Sequence, residues 1–204
     1  ISQAKFSTVR QMSVFSPTND AGLFWTEGAF HYHYAKLAAS GVGIPEIDTR
    51  MQYPEGMHVL RDETPMMERF AGFCYRHLGG SKLPFHVFRL LLACFYSSAI
   101  IFPAFFLSAY LWRSPLAGVF TSLFYLFTYS FIGGVVLGAY VRQDFALPFL
   151  FLATFFLIAG IDTNRRWLQA AAAALFVFSF ASWHMAQFYF AVLMAGVVVL
   201  YFLQ

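Results

Sequence analysis

The sequence has 204 residues, of which 59% are hydrophobic and only 11% charged, with a formal net charge of +3. Ordinary soluble domains are about 45–50% apolar and about 25% charged, so this composition excludes a globular domain hydrated on all sides. The positive charge is small and dispersed, without a basic run, which excludes a nucleic-acid partner and a polybasic lipid switch.

Charge is distributed unevenly. Sixteen of the 23 charged side chains precede Leu83, whereas Leu90–Gln204 holds only Arg113, Arg142, Asp144, Asp162, Arg165 and Arg166. A stretch that apolar has no aqueous face, so lipid is its expected solvent. The expected fold is all-α: a polytopic transmembrane helical bundle. Residues 1–88 form a long exterior loop with surface helices, and residues 89–204 form a bundle of four or five spans. The chain opens on Ile1, shows no apolar run in its first twenty residues and ends just after one. It therefore reads as a fragment of a longer chain. Cys74 and Cys94 are not expected to pair.

In chain order, residues 1–26 read as loop, with turn chemistry at Ser16-Pro17-Thr18-Asn19-Asp20. Thr26 suits an N-cap for a helix over Glu27–Ala39 that Gly41 closes. Residues 41–66 read as irregular. Pro65–Leu78 then reads as an amphipathic helix. Met66, Phe70, Phe73 and Leu78 are apolar and Glu68, Arg69 and Arg76 polar, a pattern suited to a membrane surface, and Gly79-Gly80 ends it. Leu90–Trp112 is long enough to span, with a kink expected at Pro103. Pro115–Val141 spans comfortably, and Phe145–Ile161 lies at the short limit. Trp167–Leu203 is too long for one helix and is expected to break near Trp183-His184.

Parity of the spans puts Arg142-Gln143-Asp144 on the same side as residues 1–88, and Asp162–Arg166 on the side of Arg113. The short loops on that second side carry Arg113, Arg165 and Arg166, so the positive-inside rule makes it cytoplasmic and the N-terminal region exterior. Glu27 and Asp144, remote in sequence, thus fall on one membrane face. Ionisable groups near membrane depth are costly and usually functional; a plain helix-end marker is the bland reading of Arg142 and Asp144. Glu27 and His31 are spaced i, i+4 and share a helix face, which suits a carboxylate–imidazole bond or half of a metal site, or a mere surface pair. His58 and Asp62-Glu63 lie in the same exterior region, where loop carboxylates are usually just solvated. An interfacial belt is the default for Trp183 and His184.

The stretches Glu27-Gly28-Ala29-Phe30-His31-Tyr32, Gly41, Ile44-Pro45, Asp48 and Tyr53-Pro54-Glu55-Gly56-Met57 resemble the first exterior loop of the oligosaccharyltransferase catalytic subunit. Gly138–Pro148 is similar to its second exterior loop, and Ala181-Ser182-Trp183 to its small-residue–Trp segment. The wider class is the C-type-fold membrane glycosyltransferases, which use a polyprenyl-phosphate-linked sugar as donor. The resemblance implies an inverting transfer to a protein or lipid acceptor on the exterior face. Glu27 corresponds to the first acidic residue, which binds a divalent cation (Mg2+ or Mn2+) or acts as base, and Asp144 to the acidic residue of the second loop. Arg142, His31, His58 and Trp183 are the candidates for substrate contacts. Arg142 stands where oligosaccharyltransferases carry a further acidic residue, which removes a metal ligand. A single acidic residue heading an apolar run, as in Asp144-Phe145-Ala146-Leu147-Pro148, is also similar to the protein O-mannosyltransferase branch. The alternatives are a transporter subunit, which calls for ionisable groups within the spans, and a non-catalytic membrane scaffold.

Overall fold

The computed structural model describes residues 7, 15–24, 27–78, 82–127 and 142–202. The expected N-cap Thr26, the stop at Gly79-Gly80, the second half of Pro115–Val141 and the Gly138 end of the second-loop motif lie outside the described residues.

Helix α1 (Glu27–Ser40) opens with an acidic residue, which suits the positive end of the helix dipole. It stops at Gly41, whose φ of +83° is left-handed backbone that residues with a Cβ adopt at a cost. The segment expected to be irregular holds a small antiparallel hairpin, β1 (Ile47–Asp48) with β2 (Met57–His58), in the register Ile47↔His58 and Asp48↔Met57. One buried carboxylate organises it. Asp48 accepts from the Arg50 backbone N–H at 3.0 Å, from Arg50 Nε at 3.2 Å and from the Tyr34 hydroxyl of α1 at 3.3 Å. Burial alone would raise the Asp48 carboxyl, but the Arg50 bonds outweigh it and hold it below its ordinary value. Tyr34 is pushed up to about 12 by burial and by Asp48.

A single turn, α2 (Val59–Asp62), leads into α3 (Met66–His77). The buried face of α3 is Met67, Glu68, Ala71, Gly72 and Cys74. Glu68 therefore lies inside, 1% exposed, and not on the polar face with Arg69 and Arg76. Helices α1 and α3 touch backbone to backbone at Gly72, where a Cβ would come within 2.7 Å of Ala38.

Helices α4 (Phe85–Ala99) and α5 (Ile101–Leu111) form one apolar segment of 27 residues interrupted at Ile100. The cause is Pro103, which has no N–H for the carbonyl of Ala99 and crowds it. Because α4 begins at Phe85, this span contains Arg89, and the spans are not free of ionisable groups. A tight turn with Arg113 at φ +50° leads into α6 (Pro115–Tyr125). Gly118 lets α6 approach Phe105 of α5, and the Ser108 and Thr121 hydroxyls meet at 2.7 Å. Small residues and hydroxyl pairs are the usual means by which helices associate in lipid.

Helix α7 runs from Arg142 to Asp162, 21 residues, and so is longer than the Phe145–Ile161 expected. Arg142-Gln143-Asp144 is its first turn, stabilised because an acidic residue there suits the helix dipole. A turn with Asn164 at φ +51° leads to α8 (Arg166–Phe180), and the break at Ala181–Met185, where Trp183-His184 was expected to interrupt, precedes α9 (Ala186–Phe202). Met67, Tyr96 and Phe145, with Phe70, Phe149 and Phe178 around them, form an aromatic core where α3, α4, α7 and α8 meet.

Phe85–Leu111 and Arg142–Asp162 are each long and apolar enough to cross a bilayer, which needs about 20 residues. Only 39% and 50% of their most apolar stretches are covered by protein. A helix in a soluble core would be enclosed; here Phe95, Phe102 and Phe106 face outward. This is a membrane protein. The described parts of α6, α8 and α9 are shorter apolar helices.

The ends of the bundle are sorted by two sets of contacts. Arg142 at the start of α7 reaches Glu63 and Glu68, and the Met66 N–H donates to the Ala181 carbonyl at 3.3 Å. The N-terminal region, the start of α7 and the end of α8 therefore meet at one end. At the other, the Tyr110 hydroxyl donates to Asp162 at 3.0 Å, joining the α5–α6 and α7–α8 turns.

Gly72→Ala forces α1 and α3 apart and should destabilise the protein by about 1–3 kcal/mol. Gly196→Ala, whose Cβ meets nothing within 4 Å, should not. Thermal unfolding of the two variants in detergent micelles checks the contrast.

Candidate active site

Of the residues singled out in the sequence, Glu27, His31 and Arg142 are linked through one buried carboxylate, Glu68. His31 is 1% exposed on α1, and its two ring nitrogens face two carboxylates. Nε2 lies 3.1 Å from Glu27 Oε1, and Nδ1 lies 2.6 Å from Glu68 Oε1. Glu27 is one turn before His31 on α1 and remains 59% exposed, so its carboxylate is open to the exterior of the site. Glu68 is brought in by the close packing of α3 on α1 that Gly72 permits.

Arg142 closes the set from α7. Its guanidinium pairs with Glu63 through Nη1 and lies 3.4 Å from Glu68 Oε1 through Nη2. An unbroken line of contacts thus runs Glu27–His31–Glu68–Arg142, from the first turn of α1 to the turn that carries Asp144. Burial by itself would raise the Glu68 carboxyl; the hydrogen bond from His31, and then Arg142, outweigh it and hold the group below its ordinary value.

Arg89 of α4 lies beneath, fully buried, and its Nη1 donates to the Tyr96 hydroxyl at 3.1 Å. Glu68 Oε2, Thr64 Oγ1 and Arg142 Nε are buried without a hydrogen-bond partner among the described residues.

Two candidates lie elsewhere. His58 sits in β2. Trp183 packs between α8 and α9 against the cluster of Leu150, Ala153, Phe176 and Ala186. Glu63, expected to be solvated, instead holds Arg142. Glu68 and Arg89 are the residues that sequence reasoning missed. A signal existed for each: Glu68 is i, i+4 from Gly72 and so shares its buried face, and Arg89 interrupts an apolar run.

No group of three His, Cys, Asp or Glu able to hold a metal occurs among the described residues, and the other residues of the chain include none of these types. Glu27, Glu63 and Glu68 are already matched by His31 and Arg142. Among the described side chains, Arg142 brings positive charge to this site.

Glu68→Ala leaves Arg142 and His31 without their shared partner and should cost about 3–5 kcal/mol. Arg61→Ala, which removes an exposed pair with Asp62, should leave the unfolding temperature unchanged. The pH dependence follows from two carboxylates. Asp20, bonded by Lys36 at 2.7 Å and Tyr32 at 2.6 Å, is lowered from 3.8 to about 2. Glu68 is lowered as well. Both stabilise the fold fully above their unfolded values, and that stabilisation is lost as the pH falls through their folded ones. Acid titration followed by circular dichroism should therefore show unfolding below about pH 4, and Asp20→Asn should flatten the part of it that extends toward pH 2.

The family model described as "Dpy19: Q-cell neuroblast polarisation" matches residues 7–204. No curated protein matches the chain. The likeness to oligosaccharyltransferase is thereby shared at the level of the membrane glycosyltransferases and no finer. Matched over nearly its whole length, the chain belongs to the Dpy19 family, which is associated with glycosyltransferase activity.

Proposed function

We propose that this chain carries the catalytic end of a membrane glycosyltransferase that moves a sugar from a polyprenyl-phosphate-linked donor to a protein or lipid acceptor on the exterior face. The observation that carries the reading is the line Glu27–His31–Glu68–Arg142, which ties the exposed first acidic residue to the mouth of α7. A lipid-linked donor keeps its tail in the bilayer and its sugar at the boundary. A site for it needs apolar walls below and ionisable groups above. The aromatic core and outward-facing phenylalanines supply the first, and the charged cluster the second.

In this reading Glu27 is the base. It takes the proton of the acceptor as the acceptor atom attacks the anomeric carbon from the face opposite the phosphate. The bond from that carbon to the phosphate oxygen breaks, the electron pair leaves with the phosphate, and the configuration inverts. His31 is a positioning residue that holds Glu27, and Glu68 holds His31. Arg142, with Arg89 beneath it, supplies positive charge for the departing phosphate. Asp144, on the first turn of α7, is the second acidic residue of the site. Arg89 meets one expectation of a transporter, but it is the fifth residue of α4, about 6 Å from the helix start, and belongs to the mouth.

Glu27→Gln and Asp144→Asn in the intact protein, given a synthetic polyprenyl-phosphoryl-mannose, should each lower transfer by about 10²–10⁴-fold. Full activity in both sinks the assignment. His31→Ala should lower kcat by about a hundredfold and leave KM for the donor nearly unchanged, because it misplaces a reacting group without touching the donor.

A further inference from the structure

A second constellation lies on the same helix pair, on another face. The described basic residues of the N-terminal region up to Leu78 are Lys36, Arg50, Arg61, Arg69 and Arg76. Lys36, Arg50 and Arg61 each pair with a carboxylate: Asp20, Asp48 and Asp62. Arg69 and Arg76 make no ion pair among the described residues, and every Asp and Glu of the sequence is among them. These two unpaired guanidinium groups line one cleft of about 380 Å³, whose other walls are Ala38, Gly41, Gly43 and Ile44. The glycine wall is bare backbone: Gly43, at φ +86°, has nothing within 4 Å of where a Cβ would stand. A role for Arg76 at the carbonyl end of α1 accounts for one arginine, since Nη1 comes within 4.0 Å of the Cβ position of Gly41. It leaves Arg69 unexplained.

The surroundings say what kind of anion fits. Phe73 is four residues after Arg69 and three before Arg76, so it lies on their face of α3. It is 52% exposed, and Leu78 beyond the helix end is more exposed still. The Phe73 and His77 rings lie against each other, tilted by 39°, with centroids 4.6 Å apart. A helix that shows a large apolar ring between two unpaired arginines matches a boundary where acyl chains meet phosphates. Arginine forks bind phosphate oxygens in pairs, which lysine does not do.

We propose that the cleft between the end of α1 and the outer face of α3 binds the phosphate of a membrane lipid headgroup. Arg69 and Arg76 clamp the phosphate, and Phe73 and Leu78 enter the acyl boundary beside it. The site is distinct from the Glu27–His31–Glu68 line and stands without the catalytic reading.

The test uses the intact protein in a neutral detergent, with dihexanoyl phosphatidylglycerol and inorganic phosphate as separate probes in binding titrations. The wild type should bind the short-chain lipid saturably and inorganic phosphate more weakly. The double variant R69Q/R76Q should bind the lipid at least about tenfold more weakly. Phe73→Ser should weaken the lipid and leave inorganic phosphate unchanged. Both arginines are exposed, so the unfolding temperature of the double variant should match the wild type; if it does not, R69K/R76K serves instead and should show an intermediate loss. Equal lipid binding by wild type and the arginine variants overturns the proposal. Equal affinity for both probes with no effect of Phe73→Ser makes this a free-phosphate site and overturns the lipid source.

Discussion

The arrangement depends on one buried carboxylate. Glu68 lies inside the protein on a helix that reads as amphipathic with its charges outward. An ionised carboxylate in such a place is tolerated only when positive groups and donors surround it. They come from two other elements, His31 of α1 and Arg142 of α7. The requirement to neutralise Glu68 therefore docks α3 between α1 and α7, a helix long and apolar enough to cross a bilayer. The same contacts bring Glu27 and the turn of Asp144 to one place.

What could be read in the sequence was whatever local chemistry decides. The α1 boundary at Gly41, the interruption of the first span near Pro103 and the break at Trp183-His184 follow from backbone conformation and apolar run length. The β1–β2 hairpin was not legible, because its strands are two residues long and it is held by Asp48, Arg50 and Tyr34, a tertiary set. The length of α7 was underestimated because Arg142 and Asp144 look like loop residues. They are helical because Arg142 has buried partners and because an acidic residue favours a helix N-terminus.

The site was legible in half. The Glu27–His31 pair follows from i, i+4 spacing, and the shared end of Arg142 and the N-terminal region from counting spans. Glu68 was assigned outward because a helical wheel weighs polarity without knowing which polar residue will find a partner. Arg89 stands just outside the continuous apolar run that starts at Leu90, so run length alone leaves it out of the helix that begins at Phe85. In both cases a partner from a distant segment decides whether the charge is inside, and spacing alone carries no record of that partner.

The two ends of the bundle differ in freedom. At the end remote from Glu68, α5–α6 and α7–α8 are joined by turns of a few residues, and the bond from Tyr110 to Asp162 ties one turn to the other. Helix α7 is about 31 Å long at 1.5 Å per residue, so a rocking of about 5° around that tied end carries its first turn through about 3 Å. The lever is longest where Arg142 grips two glutamates from the N-terminal segment. Helix tilt, negligible at the fulcrum, thus translates into making or releasing contacts at the mouth, and a ligand that competes for Arg142 acts on the far arm of that lever.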